Sequence, residues 1–261
     1  MENKNKKFKK ITENHTKIID TCLIAGQIMI ESGSEAYRVE DTMYRIAKNA
    51  GIPNTTLFTT PTGIFMGVEN ECGTQIREIH KRDINLEKVS RVNQLSRSFA
   101  SGNITLQQLH DYLIQVGQNT SSFPLFWQIV SAGIISGLFM IMFAGSFDWI
   151  DFPASCFLGS IGYATNHYVS SITKVNFLSQ FIAAFNIGIF AVMAMKFGFG
   201  CNINNMIIGA VMPLVPGVAI TNSVRDLLAG HLLTGVARGA EALLYAGAIG
   251  VGIAIIFRFI Y

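Results

Sequence analysis

From about Thr16 to Glu31, apolar residues recur at a helical period, and Ile18, Ile19, Cys22, Leu23, Ala25, Ile28 and Met29 fall on one broad face. That spacing predicts a helix with a wide buried side, ended by Gly33. Ser34 then stands where an N-cap belongs, and Glu35 where a first-turn carboxylate complements the helix dipole. The helix they open runs to about Asn49, carries Ala36, Val39, Met43, Ile46, Ala47 and Ala50 on its apolar side, and closes at Gly51. Its other face holds Arg38, Asp41 and Arg45, either a solvated side with an Asp41–Arg45 pair one turn apart or a docking or gating surface. The period then shortens. Residues 55–60, 63–69 and 74–79 (TTLFTT, GIFMGVE, TQIREI) are rich in β-formers, are separated by turn residues, and predict a small antiparallel sheet. Two further helices follow, one from about Leu86 to Ala100 with Val89, Val92, Leu95 and Phe99 at core spacing, the other capped by Thr105 and running to about Val116.

Beyond Pro124 polar positions become sparse. Apolar runs near 125–147, 152–171, 177–195, 203–221 and 242–260 are each long enough to cross roughly 30 Å of hydrocarbon. The fourth is interrupted by Pro213, Pro216 and Gly217. Each proline removes a backbone donor and crowds the preceding turn, so a kinked or broken helix lining a cavity is predicted. Arg225, Asp226, His231, Arg238 and Glu241 then form a charged connector between two apolar runs. Ionisable groups at membrane depth are costly unless they pair or face water, and broken helices beside charge recur in transporter binding sites.

Composition sharpens the division. Only 14% of the 261 residues are charged and 50% are hydrophobic, yet residues 1–123 hold 15 of the 20 Lys and Arg and 13 of the 17 Asp and Glu. The fold class expected is therefore a membrane α-helical protein of about five transmembrane helices (124–261) with an N-terminal cytoplasmic α+β domain (1–123). Basic residues in the N-terminal domain, at Lys174 and at Arg225 and Arg238 put those segments on the cytoplasmic side, and the connector with Asp148 and Asp151 on the other; Lys196 and Arg258 lie near span ends, where they can snorkel. This describes a multi-pass protein of the cytoplasmic membrane. No secretory signal pattern precedes the first helix. A net charge of +3 does not point to nucleic acid, and Lys4, Lys6, Lys7, Lys9 and Lys10 read as a solvated tail or a contact with anionic membrane lipid. Cys22, Cys72, Cys156 and Cys201 are far apart and read as free thiols.

Ser32, Ser34, His80, His110 and several carboxylates are the raw material of a hydrolase, but no nucleophile elbow, phosphate loop or metal-binding helix organises them. No catalytic residue, cofactor or metal is assigned. The alternatives to transport are a regulatory or assembly subunit of a membrane complex and a membrane-anchored hydrolase using the first domain. Within the spans, the small pairs Gly133 and Gly137, Ser155 and Gly159, Gly235 and Gly239, and Ala248 and Gly252 predict close helix packing. Asn166 beside His167, and Asn186 near mid-span, either bond to a neighbouring helix or touch a polar solute.

ESGSEAYRVEDTMYRIA from Glu31 to Ala47, PTGIF from Pro61 to Phe65, RVNQLSR from Arg91 to Arg97, and the stretch from PLVPG at Pro213 to EALL at Leu244 together resemble the threonine/serine exporter family, in its N-terminal-type module. The likeness covers both halves of the chain. It implies a secondary-active exporter of a small hydrophilic amino acid, threonine or serine, or of a succinate-like C4 dicarboxylate. Fused members of the family continue into a second membrane module, whereas this chain stops at Tyr261, so the resemblance implies a split, oligomeric exporter in which a separate small membrane protein supplies the missing spans. By residue, it marks Gly33, Glu35, Tyr37 and Arg38 in one signature stretch and Pro213, Pro216, Gly217, Arg225, Asp226, Gly230, Gly235, Arg238 and Glu241 in another. The pathway expected combines backbone groups freed around Pro213 to Gly217 with Asn166 and Asn186, while Arg225 or Arg238 meets a solute carboxylate through paired hydrogen bonds. Asp226 and Glu241 then either hold those arginines in the empty state or carry a coupling proton.

Overall fold

The computed structural model describes residues 2–69, 73–80, 83–118, 123–145 and 149–260. Cys72, Asp148 and the side chains of the Lys4 to Lys10 cluster lie outside the described residues. The chain forms two compact units, Met1–Ser121 with Val218–Gly239, and Ser122–Gly217 with Ala240–Tyr261.

In the first unit, α1 (Glu2–Glu31) starts well before Thr16, because no glycine or proline interrupts residues 2–25. It ends at Gly33, whose φ of 83° lies in the left-handed region. The second helix, α2 (Ala36–Asn49), buries Ala36, Val39, Met43, Ile46 and Ala47 and stops at Gly51, φ 97°. On its outer face Arg45 pairs with Asp41. Strands β1 (Thr55–Thr60), β2 (Gly63–Val68) and β3 (Thr74–Glu78) form an antiparallel sheet in that order, with Phe58 opposite Phe65 and Phe65 opposite Ile76. Asn85 caps α3 (Leu86–Ala100) by accepting the Lys88 N–H. A reciprocal capping box opens α4 (Leu106–Gln118): Gln108 N–H donates to Thr105 Oγ1 at 3.3 Å and Thr105 N–H to Gln108 Oε1 at 2.9 Å. These helices and β2 close over Ile18, Met29, Met43, Ile64, Met66 and Leu109. Burial pushes the Cys22 thiol up to about 12, which leaves it unreactive.

The expected connector between residues 225 and 238 is helical. Helix α9 (Gly217–Leu228) runs through Arg225 and Asp226, a tight turn follows at Gly230 (φ 87°), and α10 (Leu232–Ile260) begins at once, so the run 242–260 is the later part of a longer helix. The turn is closed by Gly230 N–H to Leu227 O and His231 N–H to Asp226 O, a pattern that ends a helix without a loop.

The second unit contains α5 (Leu125–Ala144), α6 (Asp151–Thr173), α7 (Asn176–Lys196), α8 (Ile203–Val211) and most of α10. Among the described residues three helices, α5, α7 and α10, have the length and apolarity to cross a membrane, and α8 with α9 makes a fourth if the broken pair is one span. Although α6 is long enough, its Ser, Thr, Tyr, Asn and His content keeps it out of that set. The core is Leu158, Ala183, Ile187, Met206, Ala210 and Ile249. Helix backbones approach at the small residues: a Cβ on Gly133 would strike the Cys156 carbonyl at 2.7 Å, and one on Gly252 the Phe181 carbonyl at 2.8 Å. Asp151, expected in the connector before the second span, lies in the span's helix instead. It is the first residue of α6, fully buried, and accepts the N–H groups of Cys201 (2.6 Å) and Asn202 (3.0 Å) ahead of α8.

Candidate functional site

The turn between α1 and α2 is folded by Ser34 N–H donating to Met29 O at 2.9 Å and Gly33 N–H to Ile30 O at 3.1 Å. That leaves the first amide of α2 to be satisfied, and Ser34 does not do it. Its hydroxyl is buried and has no hydrogen-bond partner among the described residues. Asp226, 190 residues later in the chain, accepts the Ala36 N–H through Oδ1 at 2.8 Å. A carboxylate there meets both an orphan donor and the positive end of the helix dipole. The expected Ser34 cap is therefore replaced by a charged residue from α9.

Asp226 has no exposed surface, and its charge is met on the other side by Arg238, whose Nη1 donates to Oδ2 at 3.1 Å. Arg238 Nη2 also donates to the Ser34 carbonyl at 2.8 Å, and Asn222 Nδ2 to the Gly33 carbonyl at 2.8 Å. Buried charges persist only when paired and hydrogen-bonded, and this pair is both. Glu35, 5% exposed, accepts Arg225 Nη1 at 2.6 Å on Oε1 and Arg38 Nη1 at 3.2 Å on Oε2. Thr234 Oγ1 donates to the Thr59 carbonyl at 3.0 Å. Glu40 Oε1 accepts from Thr59 N (3.1 Å) and Thr59 Oγ1 (2.7 Å) and lies 3.8 Å from His231 Nδ1. The α9–α10 hairpin is thus clasped to the α1–α2 turn and to β1 by charged and polar contacts. Inside the hairpin, Ser223 Oγ donates to the Gly235 carbonyl at 2.7 Å.

Burial works to raise the Glu35 carboxyl, but its backbone hydrogen bond together with Arg225 and Arg38 holds it below the ordinary glutamate range. A lowered folded-state value gives stability that is present above the unfolded value, about 4.3, and lost as pH falls through the folded one. Acid titration of the full chain should therefore show a loss of stability beginning below about pH 4.3 that Glu35→Gln reduces. An acid profile unchanged by Glu35→Gln would remove Glu35 from the pH response.

Of the residues singled out from the sequence, Gly33, Glu35, Arg38, Arg225, Asp226 and Arg238 meet in this clasp. Tyr37 is exposed on α2. Gly230 and Gly235 lie in the α9–α10 hairpin of the first unit, and the others belong to the second. Pro213 lies in a single 3-10 turn, Met212–Leu214, and Pro216 follows extended Val215 immediately before α9, whose first residue is Gly217. On α6, the Asn166 Oδ1 atom is enclosed with no hydrogen-bond partner among the described residues, and Asn186 is half-buried on α7. Glu241 accepts Tyr245 Oη at 2.7 Å one turn along α10. Sequence reasoning passed over Asn222, Thr234, Glu40 and Thr59. Two of them were marked by spacing: Asn222 stands four before Asp226, and Thr234 four before Arg238, each pair a polar stripe on an otherwise apolar helix.

Chemically, the clasp is a carboxylate-recognition device already filled by the protein's own carboxylates. No group of His, Cys, Asp and Glu among the described residues could hold a metal ion.

A family described as putative threonine/serine exporter matches residues 20–260. Among individual proteins, the chain is 21% identical to a probable threonine/serine exporter of Mycobacterium tuberculosis, over 95% of its own length and 47% of the relative's. It is 24% identical to a threonine/serine exporter of Corynebacterium glutamicum, over 88% and 49%. With the probable succinate transporter subunit YjjP of Escherichia coli it shares 23% identity, over 93% of this chain and 94% of that one. The chain therefore spans about half the length of the first two relatives and nearly all of the third. No solved structure matches it.

Proposed function

The chain belongs to the threonine/serine exporter family, and from that premise we propose that it is one subunit of a secondary-active exporter in the cytoplasmic membrane, moving a small amino acid or a C4 dicarboxylate outward. The family is one of transporters and not of enzymes. The observation that carries the subunit reading is coverage: the relative matched over 94% of its length is itself named a transporter subunit. A separate small membrane protein supplies the part of the assembly that the longer relatives carry in their remaining half. Residues 1–123 face the cytoplasm, and α6 acts as a fifth span, packed against α5, α7 and α8.

The solute passes beside the broken span at Pro213 to Gly217, with Asn166 and Asn186 as polar contacts. Asn166 supports this with an enclosed amide oxygen lacking a partner among the described residues, a group that a solute donor would satisfy. Of the two arginine pairs, Arg238–Asp226 is the buried, structural one. Arg225 is 62% exposed, so its bond to Glu35 is the one a solute carboxylate displaces. Opening the clasp in this way couples solute arrival to movement of α9, with Glu241 as carrier of the coupling proton.

The test is efflux from cells lacking the chain, restored with it alone and with a candidate membrane partner, profiling threonine, serine and C4 dicarboxylates together. Restored efflux of one solute class, dependent on the partner, is the expected result. No change in any of them, with both proteins in the membrane, would leave the chain a regulatory or assembly subunit.

A further inference from the structure

The stretch RVNQLSR on α3 takes no part in the clasp, yet it lines a cleft against α2. About 450 Å³ is enclosed there by Arg38, Ser90, Asn93, Gln94 and Arg97 above the apolar side of α3. Two guanidinium groups line this space and no carboxylate does. Arg91, one turn away, is paired with Glu87, whereas no carboxylate pairs with Arg97 among the described residues. Asn93 is fixed in place, accepting Thr42 Oγ1 at 3.2 Å and donating to the Val89 carbonyl at 3.0 Å. Arg38 spends Nη1 on Glu35, and its planar fork carries further N–H donors.

A cleft with two cationic forks, a hydroxyl and two amides selects a small anion with two acceptor groups. Its lining has no aromatic ring on which a nucleobase would stack. We propose that the α2–α3 cleft is a binding site for a small dicarboxylate, with Arg97 taking one carboxylate and Arg38 the other. The site also acts on the clasp. Arg38 shares Glu35 with Arg225, so a ligand drawing on Arg38 weakens the hold on Glu35 and, through it, on α9. The site stands on the cleft alone and does not depend on the transport reading.

Isothermal titration of the full chain in detergent, with succinate, threonine and inorganic phosphate as probes, tests it. Succinate should bind, threonine and phosphate about tenfold or more weaker, and Arg97→Gln should weaken succinate by about tenfold or more, the worth of a charge-assisted hydrogen bond. Arg97 is exposed, so the variant should melt as the wild type does; Arg97→Lys, which keeps the charge but loses the fork, should fall between. Arg45→Gln, on the outer face of α2 and outside the cleft lining, should leave the affinity unchanged. Succinate binding that survives Arg97→Gln and drops with Asn166→Ala would place the ligand in the second unit, overturning the cleft while leaving the exporter reading intact. Equal binding of phosphate, or no heat from any probe, would overturn the dicarboxylate site.

Discussion

Asp226→Ala should cost the first unit about 3–5 kcal/mol, the usual penalty for breaking a buried ion pair from one side. Three losses add. Arg238, 10% exposed in its side chain, is left as a charge without its carboxylate. The Ala36 N–H loses its acceptor, and the N-terminus of α2 loses the anion that complements its dipole. Asp226→Asn keeps an oxygen for Ala36 while removing the charge, and should fall between wild type and alanine. The double variant Asp226→Ala with Arg238→Met should recover part of the loss, because it removes both charges and leaves a side chain of similar bulk. Thermal unfolding of the four proteins in the same detergent checks this. Equal melting of wild type and Asp226→Ala would mean the pair is not a determinant of the fold.

Gly209→Val should be strongly damaging to the second unit. A Cβ at Gly209 would lie 2.5 Å from the Ser136 carbonyl, 2.5 Å from Ser155 Oγ and 2.6 Å from Met140 Cβ. Two of those neighbours are main chain or next to it, so little can give way. Overpacking of this kind costs about 1–3 kcal/mol and more where backbone must shift. The strain would fall on α8 one turn before Pro213, so efflux should drop along with stability. Gly247→Ala is the control, since a Cβ there meets nothing within 4 Å and alanine is the better helix former. If Gly209→Val melts like Gly247→Ala, the close approach of α8 to α5 is not as described.

Most elements were legible because their signals are local. Gly33 and Gly51 ended α1 and α2, the Thr105 cap opened α4, and the turn residues around 61–62 separated β1 from β2. Pro213 and Pro216 marked the break between α8 and α9 for the same reason. What periodicity could not supply was partnership at long range. Nothing near Ala36 announces that its amide is met from α9, and Ser34, the expected cap, offered a plausible local answer that the fold does not use. The role of Asp151, placed only in a connector by the sequence, was hidden for a similar cause: it depends on Cys201 and Asn202, 50 and 51 positions away. The clasp residues could be nominated from charge at costly positions, but pairing Arg225 with Glu35 required the fold.

The first unit is discontinuous, and this has a bearing on how the protein is made. Residues 218–239 complete a body begun at the N-terminus, with the hydrophobic helices α5 to α8 synthesised between the two parts. Chains fold from the N-terminus as they leave the ribosome, at about 5–20 residues per second. At that rate the nascent domain waits several seconds, α2 without its anion, until the intervening helices have been handed to the insertion machinery. A chain that ends before residue 218 lacks Asp226 and Arg238, and with them the contacts that complete the first unit. Closure of the Ala36–Asp226 bond is therefore a late event, possible only once α5 to α8 have been synthesised.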